Sequence, residues 1–278
     1  MEQLSIMAAP FAACLILTGI HAYLGIHILA RGVIFVDLAL AQIAALGALL
    51  AALLDVESKV GVYFFSLGLT IVGAGVFTYT RSIKGSVPQE AFIGMAYAVA
   101  SAGAILMADR IAHASDEIKS MLTGSILFVS WEEVGAVAAL YAAVGLIHWI
   151  FRKRFMLISL RPKEAQESGI SIRWWDFLFY ALFGVVVTSS VQIAGVLLVF
   201  SFLIAPAIVG SLLASRVSSR LMIGWAFGVA ASFMGCNISY QIDDPTGPTI
   251  VCVFGLGLVA ALIARRALGA SRADDSSS

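Results

Sequence analysis

Charge is what this chain of 278 residues has least of. Asp, Glu, Lys and Arg make up 12% of it, against about 25% in a soluble domain, too little to cover a water-facing surface. Its 17 basic and 17 acidic residues cancel, so no net field invites nucleic acid. Cysteine is sparse: Cys14, Cys236 and Cys252 are separated, each in or beside an apolar stretch. They read as small buried hydrophobes, not as a disulfide framework or a metal site. The four histidines form no close i,i+4 pair, and His21 and His27 fall about 120° out of alignment on a helix. They read as interhelical hydrogen-bonding residues before ligands. The sequence has no G-x-x-x-x-G-K-S/T, no H-E-x-x-H and no G-x-S-x-G, which removes the commonest nucleotide-binding and hydrolytic machinery. Uphill work by this chain would draw on an ion gradient or a separate subunit. The N-terminal stretch lacks a basic n-region and a clear cleavage site, so it reads as a first span and not as a removable signal.

Apolar residues are what it has in excess, 60% of the total. Spans need about 20 of them in a row. Nine candidates emerge, at roughly 8–30, 32–54, 60–80, 89–108, 131–151, 174–191, 194–214, 219–240 and 248–266, with eight or ten also compatible. The sixth and seventh form one apolar block, and its Thr188–Gln192 patch is the expected turn. The class is therefore all-α: a polytopic helical membrane protein in one domain, 1–266, with a polar, disordered tail at 267–278. Nine spans place 14 Lys and Arg on one side and three on the other. By the positive-inside rule the N-terminus lies outside and the C-terminus in the cytoplasm of a cell inner or plasma membrane.

One stretch organises the rest, RGVIFVDLALAQIAALG at 31–47, which carries Asp37 and Gln42 inside an apolar run. An ionisable group in a bilayer costs roughly 2.5–3.5 kcal/mol on insertion scales and marks a cavity, pathway or partner. Asp37 is read as the single carboxylate well inside a run. Gln42 lies five residues on, about 140° away around an ideal helix, unless a π-bulge realigns it. Glu90 is either a helix N-terminal acid favoured by the macrodipole or an exit-side group. Asp243 and Asp244 sit in YQIDDPTGPTI, which reads as turn chemistry or as a cation-gathering mouth. MLTGSILFVSW, in the long external connection 109–130, reads as a half-buried external helix. In the internal connection 152–173, Pro162 opens KEAQES and Gly169 is a natural stop. That short charged helix reads as a docking surface for another subunit or as a solvated positive-inside loop.

Five stretches, in order, resemble the permease subunits of ATP-binding-cassette importers for zinc, manganese and iron(II). They are RGVIFVDLALAQIAALG; EAFIGMAYAVASAGAIL; MLTGSILFVSW; KEAQESGI followed by IAGVLLVFSFLIAPAIVGSLL; and ISYQIDDPTGPTIV. The resemblance implies a transport subunit that is not itself an enzyme: a homodimer with the path at its centre. It implies a cytoplasmic ATP-binding subunit docked on about 161–170, with Pro162, Lys163, Glu164, Ala165 and Gly169 as coupling residues. An extracytoplasmic metal-binding protein would deliver manganese, zinc or iron, with no stably bound cofactor and membrane lipid around the whole. Asp37 and Gln42 are the implied metal contacts. The family's histidine four residues after the acid is absent here, and glutamine is the weaker ligand. Spans four to eight also look like siderophore and cobalamin permeases, which makes a metal chelate the second cargo class; an ion-coupled secondary transporter is a further rival, less favoured because no internal repeat is evident.

Overall fold

A computed structural model describes residues 2–81, 87–109 and 124–275. Within them the chain forms ten α-helices and no strand. In order they are α1 (Glu2–Arg31), α2 (Val36–Leu53), α3 (Lys59–Arg81), α4 (Gln89–Ala108), α5 (Trp131–Ile150), α6 (Arg152–Leu160), α7 (Pro162–Glu167), α8 (Ile172–Leu213), α9 (Val217–Ile242) and α10 (Thr246–Asp275). Eight of these are long and apolar enough to cross a membrane. The backbone must satisfy its own polar groups at that depth, which is why the runs become helices.

The sixth of the eight, α8, has 42 residues, about 63 Å if straight and twice a bilayer core. It is two helices. Gly195 stands between them at φ 74°, ψ 161°, a conformation essentially reserved for glycine. Contacts with α1 show that the chain reverses there. Arg31 meets Asp176 and His21 meets Ser190, so the first limb, 172–194, runs antiparallel to α1. Yet Gly25, between those two points of α1, packs against Leu203 and Ala207 of the second limb, 196–213. The two limbs counted separately give nine segments. The turn falls at Gly195 and not in the Thr188–Gln192 patch, which stays helical.

The connections then sort onto two faces. The ends of α1, α3 and α5, the helices α6 and α7, and both ends of α8 share one face, called the basic face below. Residues 124–130 lie against the reversal on the other side: the Ser125 amide donates to the Ile193 carbonyl at 3.2 Å. Only a 3-10 turn, Ile126–Phe128, forms there, so the expected external helix is not present among the described residues; 110–123 lie outside them. Two further expectations change. The basic stretch after α5 is not a loop, because α6 buries Phe155 and Ile158 completely. Residues 267–275 of the expected tail continue α10, since this stretch has three alanines and no proline to stop the helix; 276–278 lie outside the described residues.

Close helix contact rests on small residues, since lipid gives apolar side chains little reason to leave it. On α2, a Cβ at Gly47 would stand 2.6 Å from the Ser66 Cα of α3. At Gly195 an alanine would be strained by about 1–3 kcal/mol. Gly195→Ala is therefore expected to lower the thermal unfolding temperature of the detergent-purified chain, whereas Gly68→Ala, where a Cβ meets nothing within 4 Å, should leave it unchanged.

Candidate functional site

The Arg31–Gly32 dipeptide does two jobs at the basic face. Gly32 closes α1 in a left-handed conformation, φ +67°. The Val33 amide bonds back to Ile28 and the Gly32 amide to Leu29, the paired bonds of a Schellman end. Arg31 turns inward with its side chain 1% exposed. Its Nη1 donates to Asp176 Oδ1 at 2.8 Å, its Nε to Ser159 Oγ at 2.9 Å, and its guanidinium lies 3.9 Å over the Phe179 ring. Arg81 Nη1, from the end of α3, donates to the same Asp176 oxygen at 2.5 Å. Ser159 Oγ, which accepts from Arg31, also shares a hydrogen bond with His27 Nδ1 at 2.8 Å. The carboxylate thus ties α1 and α3 to α8, and Arg31 adds α6 through Ser159. Asp176 was not singled out by sequence; the available signal was a carboxylate three to five residues inside an apolar run, directly behind Trp174 and Trp175.

Asp37 lies close by in chain terms but differs in its surroundings. The apolar run starts at Gly32, whereas the helix starts at Val36. Asp37 therefore occupies the first turn of α2 and not the middle of a span. It is 1% exposed, and its Oδ1 has no hydrogen-bond partner. An N-terminal helical turn favours an anion, but it does not saturate a carboxylate. Because α2 is regular throughout, with no π-turn, Gln42 points about 140° from Asp37 and is half-buried. The two do not share a face, and among the described residues no group of three His, Cys, Asp or Glu is placed to hold a metal ion.

The other predicted residues separate clearly. Glu90, second residue of α4, accepts a hydrogen bond from the Ile34 amide through Oε1. It ties α4 to the short link before α2, while its Oε2 is buried without a partner. Asp243 takes a left-handed conformation at the end of α9, and the Asp244 amide and carbonyl bond to Ser239. Both side chains are exposed in a turn on the face opposite Arg31. Helix α7 has Pro162 at its first position, Ala165 fully buried and Gly169 at φ +71° as its stop. Lys163 and Glu164 point outward. A cleft of about 460 Å³ separates α7 from the end of α3 and is lined by Arg81, Lys163, Arg173 and Asp176.

At mid-depth a hydroxyl chain crosses three helices. Ser189 donates to Tyr141 at 3.2 Å, Tyr141 and Ser190 share a 2.5 Å bond, and Ser190 meets His21 Nε2 at 3.2 Å. His21 Nδ1 bonds the Leu17 carbonyl. This histidine is interhelical glue, as its sequence setting suggests.

Membrane-crossing helices around buried charge, with a short exposed helix standing on the basic face, are the build of a multi-pass membrane permease. The family model described as the ABC 3 transport family matches residues 3–265, and the chain belongs to that family. It is a multi-pass protein of the cell membrane. It is 25% identical over 260 residues, covering 94% of each chain, to a probable iron transport system membrane protein of Haemophilus influenzae. It is 26% identical over 234 residues to the manganese import system permease protein ScaB of Streptococcus gordonii, covering 84% of this chain and 81% of that one. Its fold matches a structure of PsaBC from Streptococcus pneumoniae in complex with Fab, with TM-score 0.77 and 21% identity over 94% and 93% of the two chains. A second match is an inward-facing putative metal-chelate type ABC transporter, with TM-score 0.72 and 19% identity over 94% and 88%.

Removing one partner of a buried ion pair costs about 3–5 kcal/mol. Asp176→Ala would leave two facing guanidinium groups and should sharply lower the unfolding temperature and the yield of folded protein in detergent. Arg81→Ala should cost less, because Arg81 is 19% exposed and Asp176 keeps Arg31.

Proposed function

We propose that this chain is the membrane-spanning subunit of an ATP-driven importer of divalent transition metal ions, manganese, iron or zinc, working by alternating access in a homodimer. Asp37 is the charged contact of the path. The observation that carries this reading is its buried carboxylate with an unpartnered oxygen, within one of the five segments that resemble the family's. An unpaired buried charge is expensive, and a passing cation would supply the missing partner. Gln42 forms a polar wall outside Asp37's reach. Oxygen ligands suit manganese or iron(II) better than zinc, and weak contacts let an ion leave as well as enter.

The basic face is cytoplasmic by the positive-inside rule. Helix α7 is there the docking surface for a separate ATP-binding subunit, presenting Lys163 and Glu164 over a base fixed by Ala165 and Gly169. The sequence carries no nucleotide-binding motif of its own, which fits that division of labour. A metal-binding protein outside would approach the Asp243–Asp244 turn.

Metal accumulation in cells lacking the protein tests this directly. Restoring the parent chain should recover one metal among manganese, iron and zinc. Asp37→Asn, which removes charge at nearly constant volume, should reduce uptake at least about tenfold, a loss of roughly 1.4 kcal/mol, at unchanged protein level. Gln42→His should leave uptake near that of the parent. Lys163→Glu with Glu164→Lys should lose the copurifying ATPase. If no metal responds, the ion reading falls; if Asp37→Asn transports normally, the assigned path falls.

A further inference from the structure

We propose that a groove at the basic face between α1, α5, α6 and α9 is a binding site for an anionic phospholipid. The groove measures about 550 Å³, within the range of sites that hold a sizeable small molecule. Its walls are apolar: Ile20 on α1, Met156 on α6, and Val217 and Leu221 one helical turn apart on α9. Two glycines leave it open. A Cβ at Gly19 of α1 or Gly145 of α5 would meet nothing within 4 Å, so both positions face the open space.

The rim has the opposite chemistry. Arg152 and Lys153 lie on it and are exposed, and no carboxylate is among the lining residues. Arg152 is held in place: its Nη1 donates to the Trp149 carbonyl at 3.0 Å and its guanidinium lies 4.3 Å over the Trp149 ring. Trp225, across the groove, donates its Nε1–H to the Gly19 carbonyl at 3.0 Å. Trp149 stands in the last turn of α5, beside Arg152, and a tryptophan at a helix end marks the membrane–water interface, so the cations stand at headgroup height and the apolar slot extends into the acyl region. Only an amphipathic anion satisfies both halves. Basic pockets between transmembrane helices at that face take phosphate headgroups, and an acyl chain fills the slot. A cation-rich rim does not suit a second copy of the same basic face, and a zwitterionic lipid brings no net charge to it. This inference depends on the chain lying in a bilayer and not on its cargo.

The test uses the full chain purified in a neutral detergent, titrated with phosphatidylglycerol or phosphatidylcholine and read by native mass spectrometry and thermal shift. Phosphatidylglycerol should be retained and should stabilise; phosphatidylcholine should do neither. Arg152→Ala with Lys153→Ala should weaken phosphatidylglycerol binding about 30-fold, roughly fivefold for each cation lost at an anionic surface. Gly145→Leu, or Leu221→Trp from the facing helix, should remove it while leaving every charge in place. Arg265→Ala with Arg266→Ala, at the same face but away from the groove, should leave it unchanged. Equal binding of the two lipids, survival of binding in both groove-filling variants, or an equal loss in the Arg265 and Arg266 control would overturn the site. So would a dimer that Gly145→Leu splits into monomers, which would assign the groove to a second copy. Metal uptake by Asp37→Asn is a separate readout, so the two readings fail independently.

Discussion

The Asp176 carboxylate, shared by Arg31 and Arg81, is the constraint on which the basic face depends. Two guanidinium groups and one carboxylate leave a net positive charge in a site almost closed to water, and such charge persists only when geometry offsets desolvation. Here the offset is distributed. Arg31 spends its donors on Asp176 and Ser159 and its flat face on Phe179, the planar recognition that lysine cannot supply. Its partners come from α6 and α8, and Arg81 reaches the same carboxylate from α3, so this network forms only when α1, α3, α6 and α8 are all docked. The ion pair is therefore a condition on the fold more than an additive contribution to it.

From that fixed face the rest of the chain follows by length. The first limb of α8 leaves Asp176, runs past His27 and His21, and reverses at Gly195. The hydroxyls before the break, Ser189 and Ser190, do not make the turn. They link α8 to Tyr141 of α5 and to His21 of α1, so the helix entering the reversal is held on two sides. Residues 124–130 then close over the loop, and the Ile193 carbonyl, freed near the break, accepts the Ser125 amide. Backbone that leaves helical geometry at membrane depth is thus covered by protein, as the absence of water there demands.

Much of this could be read from sequence because a twenty-residue apolar run declares itself. The positions of the spans, the parity that separates the two ends, and the Pro162–Gly169 helix all depend on local patterns. What could not be read depends on distance or on competition between local signals. Arg31, Arg81 and Asp176 are 50 to 145 residues apart, and nothing in their own neighbourhoods pairs them. The Thr-Ser-Ser patch looks more turn-like than a single glycine in IAGVLL, yet hydroxyls on a helix can bond the preceding turn's carbonyls and stay helical. The basic RKR hid α6, whose buried face is set by Phe155 and Ile158. Asp37 was found, but its depth was not, because an apolar run does not show that Gly32 delays the helix to Val36.

That displacement sharpens the contrast between the two buried carboxylates. Asp37 and Asp176 are equally shielded, and both stand near the start of a helix on the same face. Asp176 receives two cations on one oxygen and is committed to holding helices together. Asp37 receives no charged partner and keeps an oxygen unbonded. A structural carboxylate would be selected for pairing, as Asp176 is. A carboxylate that must bind a cation briefly gains from having no resident competitor, because each internal bond would have to be broken before the ion could enter. The shared pair therefore ties the face together, and the unpaired acid at the head of α2 is the one that the proposed importer would use as its exchangeable charge.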